Sequence, residues 1–111
     1  MEINEYQRLA MRTVNADISE KDMLLNSLMG LSGESGEAIE IMKKHLFHGK
    51  ELDRDHLIKE LGDVAWYLAE AATALGIPLE EIFSRNVEKL AARYPDGFSR
   101  ERAINRAEGD I

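Results

Sequence analysis

SEKDMLLNSLMGLSGESGEAIEIMKKHLFHGKELDRDHLIKELGDVAWYLAEAATALG, residues 19–76, is two long amphipathic segments joined by a short polar turn. In the first, Leu24, Leu28, Leu31, Ala38, Met42 and Leu46 recur at helical spacing. In the second, Leu57, Leu61, Val64, Leu68, Ala71 and Leu75 do the same. Apolar residues three and four apart form one stripe of an α-helix, and these stripes are expected to face inward. Ser19 with Asp22 three residues on resembles a capping box that opens the first helix. Gly49 fits its C-terminal cap, Asp53 or a neighbour starts the second helix, and Gly76 ends it. So short a connection makes the two helices antiparallel neighbours.

Upstream, Ile3, Tyr6, Ala10 and Val14 mark an earlier helix over about residues 3–15. Pro78 is tolerated at the opening of a fourth helix, which carries Phe83, Val87, Leu90 and Tyr94 inward. Pro95-Asp96-Gly97 reads as a turn, and the polar segment from Ser99 as a tail with one short helix. No segment shows the alternation of a half-buried strand. The reading is an all-α, four-helix bundle-like domain over residues 1–98 with a tail over 99–111. Met11, Met23, Met29, Trp66 and Ile82 add apolar surface beyond the stripes. So thin a bundle is expected to share that surface in a homodimer or a dimer of dimers.

The 111 residues suffice for one domain, and 44% apolar residues argue against disorder. Acids outnumber bases 21 to 14, for a net charge of -7. That balance disfavours nucleic acid polymers and anionic membrane surfaces, and suits a protein that gathers divalent cations. The absence of Cys excludes disulfides, thiolate zinc sites and a cysteine nucleophile. With neither a basic–apolar leader nor an apolar run of about 20 residues, a soluble cytoplasmic protein is expected.

The informative acids are Glu34 and Glu37 in the first long helix and Glu60 and Asp63 in the second. Each pair is spaced i, i+3 and projects from one side of its helix. On a wheel of about 100° per residue, Glu34 and Glu37 lie about 80° and 140° to one side of their stripe. Glu60 and Asp63 lie about 60° and 120° to the same rotational side of theirs. In antiparallel neighbours, equal offsets of one sign fall on the same side, so the four carboxylates border one groove. Glu37 and Asp63 flank residue 50 symmetrically and are expected to lie level. Such a cluster repels itself unless protonated or neutralised, and oxygen-only donors select a hard ion, Mg²⁺ or Mn²⁺. The bland alternative is two solvated acidic flanks paired with Lys43, Lys44 and Lys59. Ile41 and Tyr67, interleaved with the acids, argue against a fully wet face. In the fourth helix Asn86, Lys89 and Arg93 share one polar edge suited to phosphate oxygens, or simply to a basic solvent face at a helix C-terminus.

Glu34-x-x-Glu37, 22 intervening residues and Glu60-x-x-Asp63 resemble the signature of the MazG-like all-α nucleoside triphosphate pyrophosphohydrolases. Gly33-Glu34-Ser35-Gly36-Glu37-Ala38, Lys59-Glu60-Leu61-Gly62-Asp63-Val64, Asn86-x-x-Lys89-Leu90-x-x-Arg93-Tyr94-Pro95 and Tyr6-Gln7 extend the likeness over roughly residues 4–98. The resemblance implies a dimeric or tetrameric helical bundle that binds Mg²⁺ and cleaves nucleoside triphosphates between the α and β phosphates. It implies Glu34, Glu37, Glu60 and Asp63 as metal ligands, with Glu37 the candidate to activate water. By the same likeness Asn86, Lys89 and Arg93 are candidate phosphate or sugar contacts, and Trp66 and Tyr67 either stack a base or pack. Where some relatives carry an extra acid before the first pair, this chain has Gly33.

Other motifs compete poorly. Gly30, Gly33 and Gly36 lack the strand and the Gly-Lys-Ser/Thr of a phosphate loop. A glycine inside a helix costs about 1 kcal/mol, so a close approach or a kink is expected there. His45-x-x-His48 lacks a third ligand. A di-iron bundle needs two Glu-x-x-His motifs, and the nearest sequence is Asp53-x-x-His56. Phosphoribosyl-ATP pyrophosphohydrolase chemistry and a non-catalytic helical interaction module remain the alternatives.

Overall fold

The computed structural model describes residues 1–111. The chain is all-helical: α1 (Ile3–Ala10) with a 3₁₀ turn (Met11–Thr13), α2 (Glu20–Phe47), α3 (Arg54–Ala74), α4 (Leu79–Arg93) and α5 (Arg100–Ile104). It divides into two compact units, Met1–Leu79 and Glu80–Ile111.

Local chemistry sets the helix ends much as expected. Ser19 accepts from the Asp22 N–H at the start of α2, and Asp53 from the His56 N–H at the start of α3. Each satisfies one of the N–H groups that a helix start leaves unpaired. At the end of α3 the Gly76 N–H donates to Thr73 O and the Ile77 N–H to Ala72 O. Gly76, at φ +71°, makes this Schellman turn possible. The first helix stops earlier than its periodicity suggests. The Thr13 hydroxyl donates to Ala10 O, and the Trp66 indole N–H reaches both Ala10 O and Thr13 Oγ1 at 2.9 and 3.0 Å. These bonds tighten residues 11–13 into a 3₁₀ turn and pin it to α3.

In the first unit α2 packs along α3, and α1 packs on α3. Gln7 holds three segments together at once. Its amide donates to Thr73 Oγ1 and Ile77 O, and its carbonyl accepts from the Leu79 N–H at 2.7 Å.

The helix seam corrects the expected core. On α2 the seam runs through Ser27, Glu34 and Ile41, each two turns apart. The stripe expected inward is partly solvent-facing: Leu28, Leu46, Leu61 and Leu75 are all more than half exposed. Phe83, Val87 and Leu90 of α4 are exposed as well. A wheel locates an apolar stripe but does not say whether its cover lies in the same chain. Here α2 and α3 meet on the side that carries the acids.

The second unit holds α4 beyond Leu79, a turn closed by a Pro95–Gly97 bridge, and α5 capped by Ser99. Its tail is tied back by Arg93, whose Nε and Nη2 donate to Asp110 Oδ2 and Oδ1, both at 2.8 Å.

Candidate functional site

The α2–α3 seam determines which acids meet. Asn26 Nδ2 donates to both carboxylate oxygens of buried Glu70, at 2.9 and 3.1 Å, which sets the register at one end. Next along the seam the Tyr67 ring lies against Gly30, where an added Cβ would overlap the ring. The close approach expected of a glycine thus holds at Gly30. Gly33 and Gly36 have nothing within 4 Å of an added Cβ.

One register step further, carboxylate oxygens of Glu34, Glu37 and Glu60 lie within 4.8 Å of one another. Asp63 is exposed and stands outside this trio. With Glu34, Thr13, Trp66 and Tyr67 it lines a hollow of about 370 Å³. The expectation that Glu37 lies level with Asp63 is therefore corrected: Glu37 meets Glu60, and Asp63 lies beside Glu34. The reason is the connection between the helices. Lys50 N–H donates to Lys44 O, and His45 Nδ1 lies 2.7 Å from Lys50 O. The loop doubles back beside the last turn of α2, so α3 begins about a turn short of the end of α2.

Glu60 is 8% exposed, and Glu34 is half-buried. The Oε2 atoms of both are buried without a hydrogen-bond donor. Unpaired buried oxygens are costly in a folded protein, and carboxylates most of all. The strain shows in the protonation of the pair. Glu34 is pushed up to about 7, first by its hydrogen bond to Glu60, then by burial and by the charges of Glu37, Glu60 and Asp63. Glu60 is held below the ordinary range, first by that hydrogen bond and then, against its own burial, by its interactions with Glu37 and His56. A protonated Glu34 donating to an ionised Glu60 is how this pair exists without a cation. Burial, and then the Asp63 charge, push the Tyr6 hydroxyl up, which places α1 at the edge of the same site.

The lysines offered as bland partners do not quench these acids. Lys43 pairs with Glu40 at 3.5 Å instead. His56, which the sequence offered only within the poor match Asp53-x-x-His56, contacts the cluster. Its Nε2 lies 3.1 Å from Glu60 Oε1, and the i, i+4 spacing to Glu60 was the available signal.

On α4, Asn86 and Lys89 are exposed. Arg93 is held by Asp110 and stacks over Tyr94 at 5.9 Å. Lys89, Arg93, Arg102 and Asn105 line a separate hollow of about 400 Å³ in the second unit. No helix is long and apolar enough to cross a membrane.

The family described as MazG nucleotide pyrophosphohydrolase domain matches residues 23–98, a span that contains all four acids. The chain is also 39% identical over 82 residues to the Gene 37 protein of Mycobacterium phage L5, covering 70% of this chain and 72% of the phage protein. No solved structure matches the chain significantly. With two-thirds of its length inside the family match, the chain belongs to the MazG nucleotide pyrophosphohydrolase domain family.

Proposed function

We propose that the chain is a Mg²⁺-dependent nucleoside triphosphate pyrophosphohydrolase, able to use Mn²⁺, that converts a ribo- or deoxyribonucleoside triphosphate to the monophosphate and pyrophosphate. The observation that carries this reading is the pair of buried, partnerless oxygens on Glu34 and Glu60 within a three-carboxylate cluster. Oxygen-only donors with unmet hydrogen-bonding capacity fit a hard divalent cation. In this reading Glu34, Glu37 and Glu60 hold the cation, and Asp63 completes the set from the rim of the hollow. A bound cation neutralises phosphoryl oxygens and lowers the pKa of water.

The chain's own residues do the rest. Glu37 is the more exposed of the cluster acids and is assigned to orient and deprotonate the attacking water. Oxygen adds to the α phosphorus, and the bond from that phosphorus to the α–β bridging oxygen breaks. Pyrophosphate leaves with the bonding electrons, and the water's proton passes to Glu37. Asn86, Lys89 and Arg93 are assigned to phosphate or sugar. The Arg93 fork already grips a carboxylate in the bidentate manner that also suits phosphate. Residues 1–98 are proposed as the catalytic domain, with 99–111 as its tail. The exposed leucines of α2 and α3 support a homodimer or a dimer of dimers. The proposed setting is the cytoplasm, where nucleoside triphosphates are found.

Pyrophosphate release across canonical and modified nucleoside triphosphates and phosphoribosyl-ATP, with Mg²⁺ present, tests the proposal. Turnover of at least one nucleoside triphosphate is expected. Glu37→Gln and Asp63→Asn should each lower kcat by about 10²–10⁴ while far-UV circular dichroism stays unchanged. Undiminished activity in both would remove the proposed site. Release from phosphoribosyl-ATP alone would move the assignment to that substrate, and none from any nucleotide would leave an interaction module.

A further inference from the structure

Glu60 presents its two oxygens to different surroundings. Oε1 lies 3.1 Å from His56 Nε2, whereas Oε2 is buried without a donor. A carboxylate has two equivalent oxygens and can exchange them by turning about its last bond. A hydrogen bond to one oxygen therefore fixes the carboxylate and settles which oxygen is left unpartnered. Glu60 sits among acids, and His56 is the basic side chain that contacts it.

His56 is well placed for that task. Its backbone N–H donates to Asp53 Oδ1 in the first turn of α3, which fixes where its side chain starts. One turn on, its ring meets Glu60 on the same helix face. The imidazole is 55% exposed, so burial does not confine it. It also lies outside the trio that converges within 4.8 Å.

We infer that His56 is a positioning residue. By donating from Nε2 to Glu60 Oε1 it holds the Glu60 carboxylate in one orientation and leaves the unpartnered Oε2 to ligate the cation. Outer partners of this kind orient ligating carboxylates and are typically worth 10–100-fold in metal affinity. The inference rests on the metal reading of the carboxylate cluster.

The test is Mn²⁺ binding to the full chain without nucleotide, by titration calorimetry and by electron paramagnetic resonance of the free ion. His56→Ala should weaken Mn²⁺ binding by about 10–100-fold. His56→Gln places an amide N–H at similar reach and should return the affinity to within about threefold of the parent chain. Steady-state kinetics should then show the Ala variant recovering activity at raised Mn²⁺, with the nucleotide KM unchanged. Equal Mn²⁺ affinity in all three chains would overturn the positioning role alone. A loss as large with Gln as with Ala would overturn it too, since the donor would then not be the operative feature. If the parent chain binds no Mn²⁺, the metal reading falls and takes this inference with it.

Discussion

Two carboxyl groups in contact cannot both ionise without help, and Glu34 and Glu60 settle this by sharing one proton. Glu34 keeps that proton up to about pH 7, because its hydrogen bond to Glu60, its partial burial and three neighbouring acids all penalise its charge. A divalent cation must displace the proton to bind. Apparent affinity for Mg²⁺ or Mn²⁺ should therefore climb about tenfold per pH unit below 7 and level off above it. Calorimetric titration in buffers of differing ionisation enthalpy reads this directly. Close to one proton should be released per cation at pH 6 and almost none at pH 8. Glu34→Gln should bind more weakly and lose the pH dependence. An affinity flat from pH 6 to 8 in the parent chain would show that Glu34 carries no proton there to displace.

At the scale of the helices, the α2–α3 seam depends on small residues where side chains cross. Gly30 lies under the Tyr67 ring, and Tyr67 in turn stacks edge-on against Trp66 at 5.1 Å. Gly30→Ala gains about 1 kcal/mol of helix propensity but forces the ring to move, which typically costs about 1–3 kcal/mol. A net loss of stability is expected. Gly33→Ala meets open space and should gain up to about 1 kcal/mol. Urea unfolding of both variants at one protein concentration compares them, and the reverse order would mean that Tyr67 does not seat on Gly30. The limits of α2 and α3 and the approach of Glu34, Glu37 and Glu60 were legible in the sequence because they rest on local signals: a cap at Ser19, another at Asp53, a glycine at Gly76 and acids spaced i, i+3. The register was not legible, since it depends on the fold-back of residues 48–53 beside α2. Nor was the Gln7 clasp, whose partners Thr73, Ile77 and Leu79 lie more than sixty residues away.

For the whole molecule, the large side chains left outside matter more than the few inside. The fully buried positions are mostly small or polar, such as Ser27, Ala69, Glu70 and Ala72. Leu25, Leu28, Ile39 and Leu46 form an exposed row on α2, and Ile58, Leu61 and Leu75 another on α3. The sequence made Leu28, Leu46, Leu61 and Leu75 visible as stripe positions but not their destination, because helical periodicity is the same whether a stripe meets its own chain or a second copy. Monomers rarely leave so large an apolar patch open, and a protein of this size gains much of its buried area by association. The chain should therefore sediment as a dimer or tetramer at micromolar concentration. Leu28→Glu combined with Leu61→Glu places charge in both rows while leaving the Ser27–Glu34–Ile41 seam untouched. That double variant should sediment as a monomer, with loss of thermal stability at low protein concentration, since subunit association adds to apparent stability by mass action. A parent chain that sediments as a compact monomer would mean that the leucine rows are solvated, and the expected assembly would then fall without affecting the carboxylate site.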